Sequence, residues 1–338
     1  MNPPRPSLIA AALALAASSF LPSSCRKAPP SNASATTATA TPASGAWTSF
    51  SGARAFEDVK AIVAIGPRPS GSARSEQTRQ FLEKRLAEAG WQTQRQSFTD
   101  TAPVRGPLQF TNLRARFPSS GPNPWERPTP ILAASHYDTK WVTGFLFVGA
   151  NDSGSSCGLL LEAARALAAT PALASQCELV FLDGEEALVD FTLPRSFTDQ
   201  NYDGLFGSRH YAATLRTLPP EQKPRWFILF DMIGDQQLEV EFPRNSSPRL
   251  TSMALEAAAS LGFSRNFSRG NDDMVDDHVP FQWAGLEVID FIDFNSYRRA
   301  GFWHTAADTI DKLSPDSIEI TGRTGLLLIE KLAAIPTP

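Results

Sequence analysis

Cysteine and histidine are scarce in this chain. Three cysteines among 338 residues, Cys25, Cys157 and Cys177, are too few for a disulfide scaffold or a thiolate zinc cluster. Four histidines, His136, His210, His278 and His304, leave a short list for any imidazole-based metal site, which must then lean on carboxylates. Positive charge is not in surplus either. The 31 Lys plus Arg stand against 35 Asp plus Glu, a formal net charge of -4, so the footprint of a nucleic-acid binder is missing and no nucleic-acid partner is expected. What the chain does have is apolar mass: 42% hydrophobic residues with 22 Phe supply a sizeable core and argue against global disorder.

Composition divides the chain into three parts. Residues 1–24 have a signal-peptide pattern of Arg5, an apolar run from Ser7 to Leu21, and Ser23 and Ser24 ahead of Cys25. The run is too short for a bilayer span of about 20 residues. The stretch Leu21-Pro22-Ser23-Ser24-Cys25 also resembles a degenerate bacterial lipobox, with Pro22 where an aliphatic residue is usual. Lipidation of Cys25 and ordinary cleavage nearby stay open as alternatives, and both place the protein outside the cytoplasm, in the periplasm or beyond. Membrane contact is expected only through such a lipid. Residues 25–46 are rich in Ala, Ser, Thr and Pro and read as a disordered tether. Residues 47–338 read as a single catalytic domain without internal repeats.

Within that domain helical and strand signals alternate. Short, nearly continuous apolar runs at Ile131 to Ser135, Glu178 to Leu182, Trp226 to Phe230 and Val288 to Ile292 read as strands buried on both faces. Helical spacing marks Ser75 to Ala89, Ser155 to Ala169, Gly204 to Leu215, Ser247 to Leu261 and Pro315 to Ala334. The fold class is therefore α/β, with a mixed, mainly parallel central sheet.

Polar residues collect where those strands end: His136 after the first, Glu185 and Glu186 after the second, Asp231 after the third. Ligands in open α/β sheets bind outside the carboxyl ends of the strands. Asp152 sits at or near the start of a helix, and His304 follows the last strand through a loop. A catalytic zinc takes about three ligands from His, Asp and Glu and keeps one position open. Asp152, Glu186 and His304 meet that requirement, while Glu185, diverging from its neighbour, suits proton transfer beside the metal. Taken singly, Asp152 could serve only as a helix cap, the Glu185-Glu186 pair as exposed loop acids, His304 as a core histidine and His136 as a turn brace. Their common placement at strand ends favours the metal site.

The blocks SHYDTK at 135–140, GANDSGSSCGLLLEAARAL at 149–167, LVFLDGEEA at 179–187, GLFGSRHYA at 204–212, FDMIGD at 230–235, DDHVPF at 276–281 and WHT at 303–305 resemble, in order, the glutaminyl-peptide cyclotransferases of the zinc aminopeptidase-like superfamily. The resemblance implies a three-layer α/β/α sandwich and one zinc ion held by Asp152, Glu186 and His304. It makes Glu185 the general acid/base, puts Asp231 and Asp276 in a proton-sharing network, and lines the substrate pocket with Trp303, Phe191 and Asp290. The implied partners are peptides or proteins with N-terminal glutamine. In two-zinc peptidases of the superfamily the position of Asp152 bridges both ions, and those of His136 and Asp231 bind the second. A metallo-aminopeptidase is therefore the alternative, and the ligand list alone leaves the metal count open. A non-catalytic binding module on the same scaffold predicts lost ligands, and none is lost.

Three departures from the animal cyclases follow. Asp290 stands where they carry a histidine. Ser135 replaces the cysteine that pairs with the position of Cys157, which leaves Cys157 unpaired. The segments 188–203 and 295–301 are longer and are expected as loops at the pocket rim. His210 and His278 are expected to be structural, and Asp272 and Asp273 to be solvated.

Overall fold

A computed structural model of the chain describes residues 45–118, 123–191, 197 and 202–336. The expected leader, Cys25 and nearly all of the tether lie outside the described residues, as does most of the 188–203 insertion. The helices are α1 (Gly52–Ile65), α2 (Ala73–Glu88), α3 (Ser156–Ala168), α4 (Pro171–Ala174), α5 (Phe206–Arg216), α6 (Pro248–Ser260), α7 (His278–Trp283), α8 (Phe294–Arg299) and α9 (Pro315–Ala333). The strands are β1 (Gln92–Ala102), β2 (Gly106–Arg116), β3 (Ile131–His136), β4 (Cys177–Leu182), β5 (Trp226–Asp231), β6 (Val240–Phe242), β7 (Phe267–Arg269) and β8 (Glu287–Ile292).

The four apolar runs become β4, β3, β5 and β8, four adjacent parallel strands. Alternation along them explains why each run had to be apolar throughout. Ile131, Ala133, Leu179, Phe181, Ile228 and Phe230 face a core shared with α1, α3, α6 and α9. Leu132, Ala134, Val180, Leu182, Phe227 and Leu229 face the opposite core with α5 and α7. Helices on both faces make the three layers. β6 and β7 form a separate parallel pair.

The hairpin β1–β2 extends the sheet antiparallel beyond β4. Its outer strand is polar along its length and half-exposed, which suits an edge strand. At the junction, Glu178 is fully buried and receives Arg114 at 2.6 Å, Arg116 at 2.5 Å and the Tyr211 hydroxyl at 2.6 Å. Removing that carboxylate would leave two guanidinium groups without their charge partner in the interior.

The segment expected as a loop at 295–301 is largely helical, as α8. Tyr297, fully buried at its centre, packs on Phe302 with ring centroids 5.4 Å apart and so anchors one face of the turn. Cys157 and Cys177 are both buried and free; the Cys157 thiol donates to the carbonyl of His136 at 3.1 Å.

Candidate metal centre

Strand ends and tight turns deliver the site. β3 ends on His136 and β5 on Asp231, while β4 runs into Asp183-Gly184-Glu185-Glu186. Gly184 adopts φ +76, and a Cβ there would come 2.6 Å from the Phe110 ring, so the turn that presents the two glutamates accepts only glycine. Asp138 fixes that turn, its two oxygens accepting the backbone N–H groups of Glu185 at 3.2 Å and Glu186 at 3.4 Å.

Asp152 does not cap α3. It lies ahead of the helix in a wide turn entered through Gly149, with non-helical backbone angles of φ -103 and ψ 86. Its carboxylate is turned instead toward two histidines. Oδ1 stands 3.1 Å from His136 Nε2, and Oδ2 stands 3.4 Å from His304 Nε2. His136 Nε2 is also 3.3 Å from Asp231 Oδ1, and His304 Nε2 is 3.1 Å from Glu186 Oε2. Two triads thus meet on Asp152, one with Glu186 and His304, the other with His136 and Asp231. Within each, the ligand atoms lie within 4.8 Å of one another. His304 itself has φ +52 and Met232, beside Asp231, φ +48; strain of about 1–3 kcal/mol at each is tolerated where it aims a site.

The donor set fits a divalent cation. Both ring nitrogens of His136, Glu186 Oε2 and Asp231 Oδ1 are buried and lack any partner in hydrogen-bond geometry despite their short separations. Orphaned polar atoms of this kind cost about 1–3 kcal/mol each. Here Glu186 Oε2 belongs to the triad with Asp152 and His304, and His136 Nε2 and Asp231 Oδ1 to the other, so a cation in either triad would satisfy the orphaned atoms of that triad, while His136 Nδ1 faces Asp138 Oδ1 at 3.5 Å. Oxygen and imidazole donors without thiolate suit zinc.

Without a cation the site gathers protons. Burial pushes the Glu185 carboxyl well above its ordinary range; Asp276, Glu186 and Asp277 add to the shift and His136 opposes it. Burial does the same to Asp276, reinforced by Asp290, Asp231 and Asp277. Asp231 is pushed up to about 6 by burial, with His136 opposing. Glu186 is raised by burial and by Asp152. Against burial, which disfavours their charge, the surrounding carboxylates raise His136 well above its usual value and His304 to about 9.

A cavity of about 260 Å³ opens over these groups. Asp152, Glu185, Asp231, Asp276 and His304 form its polar floor, and Phe191, Phe294 and Trp303 its apolar walls. Trp303 stacks on His304 at 4.0 Å and meets Phe294 edge-on at 5.0 Å. Asp290, expected in the pocket wall, is not there. It sits within β8, short of the strand end at Ile292, fully buried with its carboxylate 3.4 Å from His278 Nδ1. Its charge acts on the cavity floor through Asp276 and Asp231. Asp272 and Asp273 are exposed, and His210 stacks on Phe98 at 3.9 Å away from the metal ligands.

Sequence reasoning missed three buried acids: Asp138, which holds the glutamate turn; Asp277; and Asp308, which receives the backbone N–H groups of Asn151 at 2.7 Å and Asp152 at 3.2 Å. Asp138 and Asp308 are single acids in mixed segments and Asp277 stands in the shadow of its neighbour Asp276; only Asp138 and Asp277 fall inside blocks that drew attention.

Comparison with known proteins places this geometry in context. The model of peptidase family M28 matches residues 112–329. A mouse protein named glutaminyl-peptide cyclotransferase-like protein is 32% identical over 286 residues, covering 76% of this chain and 70% of its own. The crystal structure of a glutaminyl cyclase from an Acidobacteriales bacterium superposes with a TM-score of 0.72 at 32% identity, over 91% of this chain and 99% of that one. Glutaminyl cyclase from Porphyromonas gingivalis gives a TM-score of 0.71 at 27% identity, over 84% and 99%.

Proposed function

Since the chain belongs to peptidase family M28 and, within it, to the glutaminyl-peptide cyclotransferases, we propose that its site converts N-terminal glutamine of peptides or proteins to pyroglutamate with release of ammonia. The observation that carries this reading is Glu185, a buried, proton-avid carboxyl on the floor of an aromatic-walled cavity, directly beside the Asp152, Glu186 and His304 triad.

A zinc ion held by Asp152, Glu186 and His304 would supply Lewis-acid polarisation of the substrate's γ-carboxamide. Glu185 takes a proton from the α-amine as that nitrogen bonds to the γ-carbonyl carbon. It returns the proton to the amide nitrogen as the carbon–nitrogen bond breaks and ammonia leaves. The nucleophile belongs to the substrate, so the gain comes from proximity and no water is needed. Asp231 and Asp276, both pushed toward the neutral form, keep a proton close to Glu185 through the exchange. Trp303 and Phe191 shield the short side chain from bulk water.

The His136, Asp152 and Asp231 triad favours one second reading, a two-metal aminopeptidase with activated water. Elemental analysis together with a leucine-amide substrate separates the two. We expect one zinc per chain and no leucine release; two ions per chain with leucine hydrolysis would favour the peptidase. The leader-like segment 1–24 supports action outside the cytoplasm, with Cys25 the anchor point if it is acylated.

A further inference from the structure

The geometry points to Asp308 and Tyr297 as positioning residues that set the metal affinity of the site by clamping the backbone of Asp152. This inference rests on the metal-binding reading above. Asp152 is the residue both triads share, yet within the π turn Ala150–Ser155 it departs from helical angles, at φ -103 and ψ 86, where helical bonding does not hold it. The rigidity comes from outside. Asp308 Oδ1 accepts the Asn151 N–H at 2.7 Å and the Tyr297 hydroxyl at 2.6 Å, and its Oδ2 accepts the Asp152 N–H at 3.2 Å. Asp308 and Tyr297 are both fully buried, so no solvent competes for these bonds.

The clamp has a second jaw. The Asn151 side chain accepts the Gly234 N–H at 2.8 Å and donates to the Met232 carbonyl at 3.2 Å, which ties the same turn to the segment just after Asp231. Tyr297 belongs to α8 and packs in one apolar cluster with Met232, Ile292, Phe294 and Trp303, the cluster that supplies walls of the substrate cavity. Asp308 therefore joins three things: the turn carrying Asp152, the wall of the cavity, and, through Asn151, the end of β5. It does not line the cavity and offers no donor atom to either triad. Groups that orient a metal ligand in this manner typically govern metal affinity by about 10–100-fold. The mechanism is preorganisation: a turn free to relax must be reordered each time the ion binds.

The test uses the full chain and two conservative variants. Asp308→Asn keeps the shape but presents one acceptor and one donor where two acceptors are required. Tyr297→Phe removes a single hydroxyl and leaves both backbone bonds. Zinc dissociation constants from chelator competition are the primary readout, with kcat and KM at saturating zinc and thermal unfolding of the metal-free proteins alongside. We expect Asp308→Asn to weaken zinc binding about 30-fold and Tyr297→Phe about 3-fold, with kcat largely restored once zinc is saturating. A merely structural role would lower the metal-free Tm and leave the zinc constant where it was. Should Asp308→Asn fail to fold, Tyr297→Phe alone decides. A folded variant whose zinc constant equals that of the parent overturns its share of the clamp. If the parent chain itself takes up no zinc, the metal-site reading fails instead, and the two failures are distinct.

Discussion

Glu185→Gln is expected to lower kcat about a thousandfold while the zinc content of the purified protein stays the same. The substitution keeps the volume and the packing of a residue that is 7% exposed, and it removes only the capacity to accept and return a proton. Glu185 belongs to neither triad, and its carboxylate stands 4.0 Å from His136 Nε2, so its loss leaves every donor of both triads in place. Glu186→Gln is the matched control and gives the reverse pattern, with zinc lost first and activity in consequence. Rate measurement with elemental analysis on both variants checks the assignment. Loss of zinc in the first and retention in the second would exchange the two roles.

Removing the metal is expected to lower Tm by about 10 °C near neutral pH, given zinc at about a thousand times its dissociation constant for the comparison. The loss should depend on pH with a definite sign. In the metal-free protein Glu185, Glu186, Asp231 and Asp276 all have folded-state pKa values raised above their unfolded ones. The native state thus binds more protons than the unfolded state above about pH 4. Stability is greatest below the unfolded values and falls as pH rises through the folded ones, about 6 for Asp231. His136 and His304, also raised, act in the same direction, their contribution fading as pH passes upward through about 9 for His304. Asp152, held below its usual range against burial by the two histidines, opposes the trend at the acid end alone. Metal-free protein should therefore melt lower at pH 7 than at pH 5, whereas the zinc form should melt higher at pH 7, because protons compete with the ion for the same atoms. Calorimetry at the two pH values with and without a chelator reads this directly.

Much of the site was legible in the sequence because its residues stand where buried strands stop. His136, Glu185, Glu186 and Asp231 each follow an apolar run, and a run buried on both faces has no other way to end than in the crevice. The centre of the sheet was legible for the same reason. The hairpin β1–β2 was not, since an edge strand such as Gln92–Ala102 needs few apolar residues and leaves no run to find. Asp152 misled in its local role: an acid ahead of a helix resembles a cap, and only the tertiary positions of His136 and His304 show where its carboxylate goes. Asp290 misled by distance along the strand, since a position two residues short of the strand end already lies below the cavity floor. Asp308 left no local signal, because its partners are backbone N–H groups at Asn151 and Asp152, far away in sequence.

The most direct test of the central claim is product analysis on a peptide beginning with glutamine, incubated with the zinc-loaded chain. The peptide is expected to lose one ammonia and nothing else, with free ammonia in equal amount and a product that resists Edman degradation because its amine has closed into a lactam. Release of free glutamine with a peptide one residue shorter would contradict that claim and make the site a peptidase.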